Sequence, residues 1–276
     1  MASKAGPGTY IGAIILAIIF FIPLWVLILI AFEPVRFTFG RVYPSFLPLG
    51  FTLKNIITSI TTPGLYLGSS LLRSLEVAFM VGGIAIFLSI FAGYGLSKLT
   101  ARVSNKIIVL LFLINMMPGL IISIPVASEF DKVGLYNNIV GVALAQELVV
   151  LPLSVFIVLG GFRGLPKDLE NQARVDGAPF FTSFFRIILP LNRIAIMVAF
   201  LLSWMTSWDE FTYAVIIDPI APSNSTFPVT LYNYVSRDLA LDAATFALVA
   251  TVPVLILTGF LMKYLKGQYL SGGMVV

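Results

Sequence analysis

The stretch Ile11–Phe32 reads IGAIILAIIFFIPLWVLILIAF and carries no charged side chain. A helix rises about 1.5 Å per residue, so a segment of this length can cross the hydrocarbon core of a bilayer, which is about 30 Å thick. The segment exceeds the apolar core of a signal peptide, and no small-residue cleavage site follows it. We therefore predict that Ile11–Phe32 is a retained transmembrane helix.

Five further windows of similar length and hydropathy follow along the chain. They are Ser74–Ser97, Ile107–Ser128, Asn138–Phe162, Ile194–Ile217 and Ala243–Met262. Several contain proline, which is tolerated in membrane helices when neighbouring helices satisfy the freed carbonyl groups. The pattern predicts an all-α integral membrane protein with six transmembrane helices, packed as a single transmembrane domain over residues 1–276.

The overall composition supports the same class. Hydrophobic residues make up 59% of the 276 positions, charged residues only 11%, and the mean hydropathy is +1.01. A soluble domain has about a quarter of its residues charged, because its surface faces water. The composition therefore excludes a soluble globular protein of this length.

The distribution of Lys and Arg predicts the orientation in the membrane. Counted on alternate connections, 11 of the 17 basic residues lie on the side that holds both termini and the segment 163–193, against 6 on the other side. Basic residues are enriched in cytoplasmic connections. We expect a multi-pass protein of the cell membrane with both termini in the cytoplasm. The net charge of +4 follows from this bias and does not require nucleic acid as a partner.

Several kinds of chemistry are excluded by missing residues. The chain contains neither cysteine nor histidine, so it lacks disulfides, thiolate nucleophiles and metal sites built on these ligands. An intramembrane enzyme would have few residues from which to build a nucleophile and base. The dipeptide Gly-Lys does not occur, so the chain has no phosphate-binding loop of the ATPase type. If ATP drives this protein, a partner must bind it.

The cytoplasmic segment Arg163–Arg193 is long, charged and patterned. Pro166 fits the first turn of a short helix, Gly177 fits a left-handed C-terminal cap, and Pro179 can open a second helix that ends at Leu189-Pro190. Phenylalanines cluster on the second helix, at Phe180, Phe181, Phe184 and Phe185. Periodicity alone favours two interpretations equally: a hairpin lying on the lipid headgroups, or a hairpin that docks on a partner protein.

Two motifs in this segment resemble a known family. Leu169–Ala178 reads LENQARVDGA and Ile187–Pro190 reads IILP. Together they resemble the EAA loop of binding-protein-dependent ABC importers, whose pattern is E-A-A-x3-G-x9-I-x-L-P. Ala173, Gly177 and Ile187 match that spacing without a gap. Further segments similar to the carbohydrate branch of the family are Ala92–Ser97, Met117–Gly119, Gly134–Asn138 and Trp208–Phe211.

The resemblance covers nearly the whole chain and is specific to the smaller six-span permease of maltose- or trehalose-type systems. It implies a type I ABC importer permease fold, in which residues 163–193 form a cytoplasmic coupling loop. The implied ATPase-docking residues are Leu169, Glu170, Asn171, Gln172, Ala173, Arg174, Asp176, Gly177, Ala178, Phe181, Leu189 and Pro190.

The sequence departs from the family pattern at the motif glutamate, which falls on Asn171, and at the following alanine, which falls on Gln172. In the family that glutamate is expected to pair with a basic residue of the ATPase. Two hypotheses remain open here. Either Glu170 supplies the charge from one position earlier, or docking relies on shape and hydrogen bonds.

The resemblance also implies the partners. A second six-span permease would complete a heterodimer around a central cavity, two ATP-binding subunits would hold ATP and Mg²⁺, and an extracellular solute-binding protein would deliver a sugar. We expect no cofactor on this chain itself, and lipid around it. Transport would proceed by ATP-driven alternating access.

Polar and aromatic residues inside the windows are candidates for the substrate path. These candidates are Asn115, Met116, Glu147, Trp204, Trp208, Asp209 and Glu210. Aromatic rings can stack on a sugar and carboxylates can accept its hydroxyl groups, but helix packing against the partner permease is an equally simple role. A buried Glu147 would have to be paired, protonated or in contact with water.

Two other functions stay open on the sequence. An ABC permease for a non-sugar solute would carry the same coupling loop. A proton-coupled secondary transporter could use Glu147 or Asp209 as its carrier, but it would not require the coupling-loop spacing.

Overall fold

The structure is a computed structural model that describes residues 6–34, 47–62, 64–166, 168–219, 224–237 and 240–272. Within these ranges the regular structure is helical and no strand occurs. The helices of the first half are α1 (Pro7–Phe32), α2 (Lys54–Thr61), α3 (Leu67–Lys98), α4 (Ala101–Asn115), α5 (Gly119–Lys132) and α6 (Ile139–Arg163). Those of the second half are α7 (Leu169–Val175), α8 (180–191), α9 (Arg193–Trp208), α10 (Thr212–Ile217), α11 (Phe227–Ser236) and α12 (Ala240–Gly272).

The described helices account for four to six membrane spans. Four of them, α1, α3, α6 and α12, are each long and apolar enough to cross a bilayer. Two further pairs qualify when each bent pair is taken as one span: α4 with α5, which are bent by 89°, and α8 with α9, bent by 68°. The all-helical membrane fold is thus confirmed, and the count of six depends on these broken spans.

The third predicted span, Ile107–Ser128, is not one continuous helix. The chain bends sharply at Met116-Met117, and Pro118 is the N-cap of α5. Proline has no N–H and disfavours helical geometry in the residue before it, so it ends one helix and begins the next. The apolar window was correct, and one of its prolines, Pro118, marks the break.

The fifth predicted span, Ile194–Ile217, is also interrupted. Helix α9 ends at Trp208, and α10 starts at Thr212. The carboxylate of Glu210 accepts hydrogen bonds from the backbone N–H groups of Tyr213 (3.0 Å) and Ala214 (3.2 Å). These amides belong to the first turn of α10, where an anionic cap is favourable. Glu210 therefore starts a new helix where we predicted a continuous one.

Clustering of contacts divides the chain into two compact units. The first comprises residues 1–68 and 230–253. In it, the side-chain amide of Asn55 in α2 donates to the carbonyl oxygens at the end of α1, at 3.2 Å to Ala31 and 2.9 Å to Glu33. Ser59 donates to Asp242 at 3.1 Å. The Asn55 side chain therefore satisfies free carbonyl groups at the end of α1.

The second unit comprises residues 69–229 and 254–276. Its core joins α3, α6 and α10 through fully buried side chains such as Val77, Val142 and Ile217. Helices α3 and α6 approach closely at Gly93, where an added Cβ would lie 3.0 Å from the backbone nitrogen of Leu159. This tight approach positions the coupling loop, which follows α6. The single domain over residues 1–276 stays a prediction.

Candidate functional site

The first helix of the coupling loop, α7, ends in a Schellman motif. The N–H of Ala178 donates to the carbonyl of Ala173 at 2.9 Å, and the N–H of Gly177 donates to that of Arg174 at 3.0 Å. Gly177 has φ +80°. These are the two hydrogen bonds that define this cap, with glycine at the left-handed position. The cap turns the chain back sharply into Pro179, which is the N-cap of α8.

Glu170 is held by its own chain. Its Oε1 accepts from the guanidinium of Arg174 at 2.8 Å, and its Oε2 accepts from the Tyr94 hydroxyl at 3.2 Å and from the ammonium group of Lys98. Burial raises the pKa of the Glu170 carboxyl, but Lys98, Tyr94 and Arg174 together outweigh that effect and hold the pKa below its usual range. Glu170 is therefore ionised at neutral pH, with its charge compensated by side chains of its own chain.

Helix α8 packs its phenylalanines around Tyr94. The Tyr94 ring centroid lies 4.7 Å from that of Phe184 and 6.1 Å from that of Phe180. It also lies 5.6 Å from the ring of Phe162, at the end of α6. Tyr94 thus contacts both halves of the coupling loop and the helix that precedes it.

Helix α8 continues beyond the point where we expected it to end. Residues Phe184–Ile188 form a π-helical turn, and the N–H of Leu189 donates to the carbonyl of Phe184, five residues earlier. Pro190 follows this wide turn within the helix. The helix runs to Leu191, and the chain bends at Asn192. A π-helical turn inserts one extra residue into the hydrogen-bonding pattern of an α-helix. The prediction that Leu189-Pro190 stops the helix was wrong by one residue at its end.

The residues that the resemblance assigns to ATPase docking fall into two groups in the structure. Asn171, Gln172, Arg174, Asp176 and Gly177 are exposed, together with Phe181, Pro190 and Val175, which was not among the candidates. Ala173 is buried, while Leu169, Glu170, Ala178 and Leu189 are half-buried. Leu169 and Glu170 line a cleft of about 310 Å³ with Tyr94 and Lys98. The exposed group is the surface that a partner can reach, and ATPase docking by these residues stays a prediction.

The two tryptophan candidates for the substrate path are buried inside the chain. Trp204 and Trp208 are each 1% exposed and stack on one another at 5.1 Å. Trp208 also stacks on Phe227 at 5.9 Å, and Trp204 meets the edge of Phe79 at 5.9 Å. The rings therefore pack inside the chain, and at 1% exposure they offer little surface to a sugar or to the partner permease that we considered as the other role.

A polar cluster inside the second unit connects α6, α9 and α10. Gln146 is fully buried, its amide oxygen accepts from the Ser207 hydroxyl at 2.5 Å, and its amide nitrogen donates to Glu210 at 3.2 Å. Every member has a partner, which is the condition for such a cluster to stabilise a membrane interior. Glu210 serves as a helix cap within it, and its oxygens are occupied by protein donors.

Glu147 follows Gln146 in α6 but has a different environment. It is 8% exposed, and both carboxylate oxygens lie buried without a hydrogen-bond partner in the described part of the chain. Pairing, one of the three states we considered for this residue, is therefore not found among the described residues. Asp209 is exposed at the end of α9.

The remaining two candidates lie at the bend between α4 and α5. Met116 is 78% exposed, and Asn115 lines a cavity of about 180 Å³ together with Tyr213. The Asn115 amide donates to the carbonyl oxygens of Leu148 (3.2 Å) and Val149 (2.8 Å) in α6. Pro152 lies four residues after Leu148 and cannot donate to it, so Asn115 satisfies a carbonyl that proline leaves free.

Sequence reasoning missed Lys98, Tyr94 and Ser207 as members of these clusters. A weak signal existed for two of them, since Tyr94 lies in the family-like segment Ala92–Ser97 and Lys98 follows it directly. Ser207 had none, because its partner Gln146 is 61 residues away in sequence.

Comparison with known proteins places the chain in a family. Residues 85–268 match the family described as binding-protein-dependent transport system inner membrane component. The trehalose/maltose transport system permease protein MalG of Thermococcus litoralis is 26% identical over 96% of this chain and 95% of its own length. The arabinooligosaccharides transport system permease protein AraQ of Bacillus subtilis is 30% identical over 73% of this chain and 71% of its own.

A solved structure shows the same fold. A chain of a bacterial ABC transporter involved in the import of the acidic polysaccharide alginate superposes with a TM-score of 0.72 at 17% identity, covering 95% of this chain and 99% of that one. The family match extends over about two thirds of this chain and includes the whole coupling loop. The chain is therefore a multi-pass membrane protein that belongs to the family of binding-protein-dependent transport system inner membrane components.

Proposed function

We propose that this chain is the permease subunit of an ABC importer that carries a sugar into the cell by ATP-driven alternating access. The observation that carries the proposal is the coupling loop. Its family spacing coincides with a Schellman-capped helix that exposes Asn171, Gln172 and Gly177. A short rigid helix ending in a sharp turn is suited to enter a groove on another protein and to move with it as a body.

The chain needs partners to carry out this function. It has no phosphate-binding loop, so ATP and Mg²⁺ bind on two separate ATP-binding subunits. A second six-span permease completes the translocation path, and an extracellular solute-binding protein delivers the solute. A requirement for such a protein is consistent with the family description. Both termini and the coupling loop lie in the cytoplasm, as the excess of basic residues on that side predicts.

A sugar is the solute class that the comparisons favour. The similar permeases are described as transporting trehalose and maltose or arabinooligosaccharides. In this chain Trp204, Trp208 and Glu210 are occupied in internal packing and capping, so they contribute to the shape of the path without contacting sugar. Direct sugar contacts are then made mainly by the partner permease and by exposed residues such as Asp209.

The test is reconstitution. The complete complex of two permeases, two ATP-binding subunits and the solute-binding protein is placed in liposomes, and uptake of radiolabelled trehalose, maltose and arabinooligosaccharides is measured with and without ATP. We expect ATP-dependent uptake of a sugar by the complex, and neither ATP hydrolysis nor uptake by this chain alone. ATP hydrolysis by the pure chain would overturn the assignment. Uptake of a polyamine or phosphonate in place of any sugar would overturn the solute class only.

A further inference from the structure

The coupling loop is fastened to the end of α3 by one charged cluster. Lys98 is the last residue of α3 and is 72 residues away from Glu170 in sequence, yet the two side chains form an ion pair. The ammonium group of Lys98 also lies 4.8 Å from the centroid of the Tyr94 ring. Arg174 adds a second ion pair to Glu170 within α7.

Within this cluster the Glu170 side chain is largely covered, so little of it is left for a partner protein to contact. Its side chain is 12% exposed, against 65% for Arg174 and 50% for Lys98. Three donors of its own chain already occupy the two carboxylate oxygens. A basic residue of an ATP-binding subunit would have to displace one of them and enter a half-closed cleft. Such an exchange gains little, because one ion pair replaces another.

On this basis, and resting on the proposed function, we propose that Glu170 is a positioning residue and not a docking residue. With Lys98, Tyr94 and Arg174 it forms a clamp that fastens the coupling helix α7 to the end of α3. Movement of the ATP-binding subunits then reaches the membrane through α3 as well as through the flanking helices α6 and α8.

The packing of α3 makes it able to transmit such a movement. Beside the clamp, Gly93 brings α3 into close contact with Leu159 of α6, with no room for a larger residue. Tyr94 belongs at once to the clamp and to the aromatic cluster with Phe180 and Phe184 of α8. A tightly packed contact of this kind shifts as a unit and does not deform gradually.

The clamp can be tested by a double-mutant cycle in the reconstituted complex, with the sugar transported per ATP hydrolysed as the readout. The variants are Glu170→Gln, Lys98→Met and the double variant. Each single change should lower the ratio of sugar transported to ATP hydrolysed by about fivefold. The double variant should be no worse than either single variant, because both changes remove the same contact. Lys98→Arg, which keeps the charge, should recover most of the ratio.

Glu129→Gln is the matched control, because it also breaks a carboxylate–lysine pair, with Lys132 at 2.6 Å, but in an exposed position outside the clamp. It should leave the ratio unchanged. Additive losses from Glu170→Gln and Lys98→Met would overturn the clamp. So would a loss of affinity for the ATP-binding subunits with Glu170→Gln alone, which is the signature of direct docking.

The failure of the proposed function can be told apart from the failure of the clamp. If the wild-type complex moves no sugar, the proposed function is wrong. The same cycle on the thermal unfolding of the purified permease then decides the clamp. Non-additive shifts in Tm for Glu170→Gln and Lys98→Met support it, and additive shifts overturn it.

Discussion

Gly177 and Gly160 are both exposed glycines of the second unit, and they differ in backbone conformation. Gly177 has φ +80°, whereas Gly160 lies within α6 with helical geometry. Around both positions the described residues place no atom within 4 Å of an added Cβ. Any difference between substitutions at the two sites must therefore come from the backbone.

We expect Gly177→Ala to destabilise the permease by about 1 kcal/mol, because a side chain disfavours positive φ, and Gly160→Ala to be neutral or stabilising, because alanine favours the helix. Thermal unfolding of the two purified alanine variants in detergent measures these changes in stability. Gly177→Val, with a β-branched side chain, should also uncouple ATP hydrolysis from transport in the complex. Equal effects of the two alanine variants would show that α7 does not need its left-handed cap.

Glu147 and Gln146 offer a second comparison between neighbouring residues. Gln146 uses both ends of its amide, with Ser207 and Glu210, whereas Glu147 has no partner for either oxygen in the described structure. We expect Glu147→Gln to preserve folding and sugar uptake, because it removes a costly buried carboxylate without breaking a bond. Gln146→Leu should destabilise by about 1–3 kcal/mol, because it leaves polar partners unsatisfied.

Unfolding midpoints and uptake by the complex test both changes. The Glu147→Gln variant also addresses the proton-coupled alternative, because a transporter that uses Glu147 as its proton carrier would lose uptake when the carboxyl becomes an amide. Retained uptake would therefore exclude Glu147 as that carrier.

At the scale of elements, a proline leaves a carbonyl group of its helix without a partner, and a neighbouring helix can supply one. Pro152 leaves the carbonyl of Leu148 without its helical partner, and Asn115 of α4 donates to that carbonyl across the helix pair. The same asparagine ends α4 just before the sharp bend at Met116. The carbonyl that Pro152 leaves free in α6 and the end of α4 are thus linked by one side chain.

We expect Asn115→Ala to destabilise the wild-type permease by about 1 kcal/mol, and by clearly less in a Pro152→Ala background, where the restored N–H can satisfy the Leu148 carbonyl. A double-mutant cycle on thermal unfolding measures the coupling. If the two changes are additive, Asn115 contributes through its bond to Val149 or through the cavity it lines.

The elements also show what sequence could predict. Apolar windows located the membrane helices, and Gly177 with Pro179 predicted the two helices of the coupling loop and the turn between them, because these signals are local. The interruption at Glu210 was missed, since a hydropathy window averages over it and no proline marks it. Glu210 in particular looked like a substrate ligand until the structure placed backbone N–H groups on it.

The contacts that hold the candidate site together were beyond sequence reasoning for a different reason. Glu170 had a local partner at the favourable i,i+4 spacing, Arg174, which the structure contains. Its partner Lys98 is brought to it only by the packing of α3 against α6. The sequence therefore raises the question whether Glu170 supplies the charge for docking. The partners of Glu170 that bear on this question are visible only in the tertiary structure.

At the scale of the whole molecule, the proposed function requires a defined orientation, and the absence of cysteine makes it testable. Four exposed valines suit single Val→Cys changes of little structural cost. Val103 (46% exposed) and Val175 (88%) lie on the side predicted to be cytoplasmic, whereas Val133 (68%) and Val235 (61%) lie on the opposite side.

In intact cells, a membrane-impermeant thiol reagent should label V133C and V235C and leave V103C and V175C unlabelled until the membrane is permeabilised. The four side chains are exposed in this chain, so in cells that express it without its partners a lack of labelling reports the membrane and not burial. Ser104 on the same connection as Val103 is buried and would not allow that conclusion. The inverse pattern would place the coupling loop outside the cell, where no ATP-binding subunit can reach it. Labelling of V103C together with V133C would show that α4 and α5 do not form one span, which would reduce the six membrane crossings on which the orientation of every later segment depends.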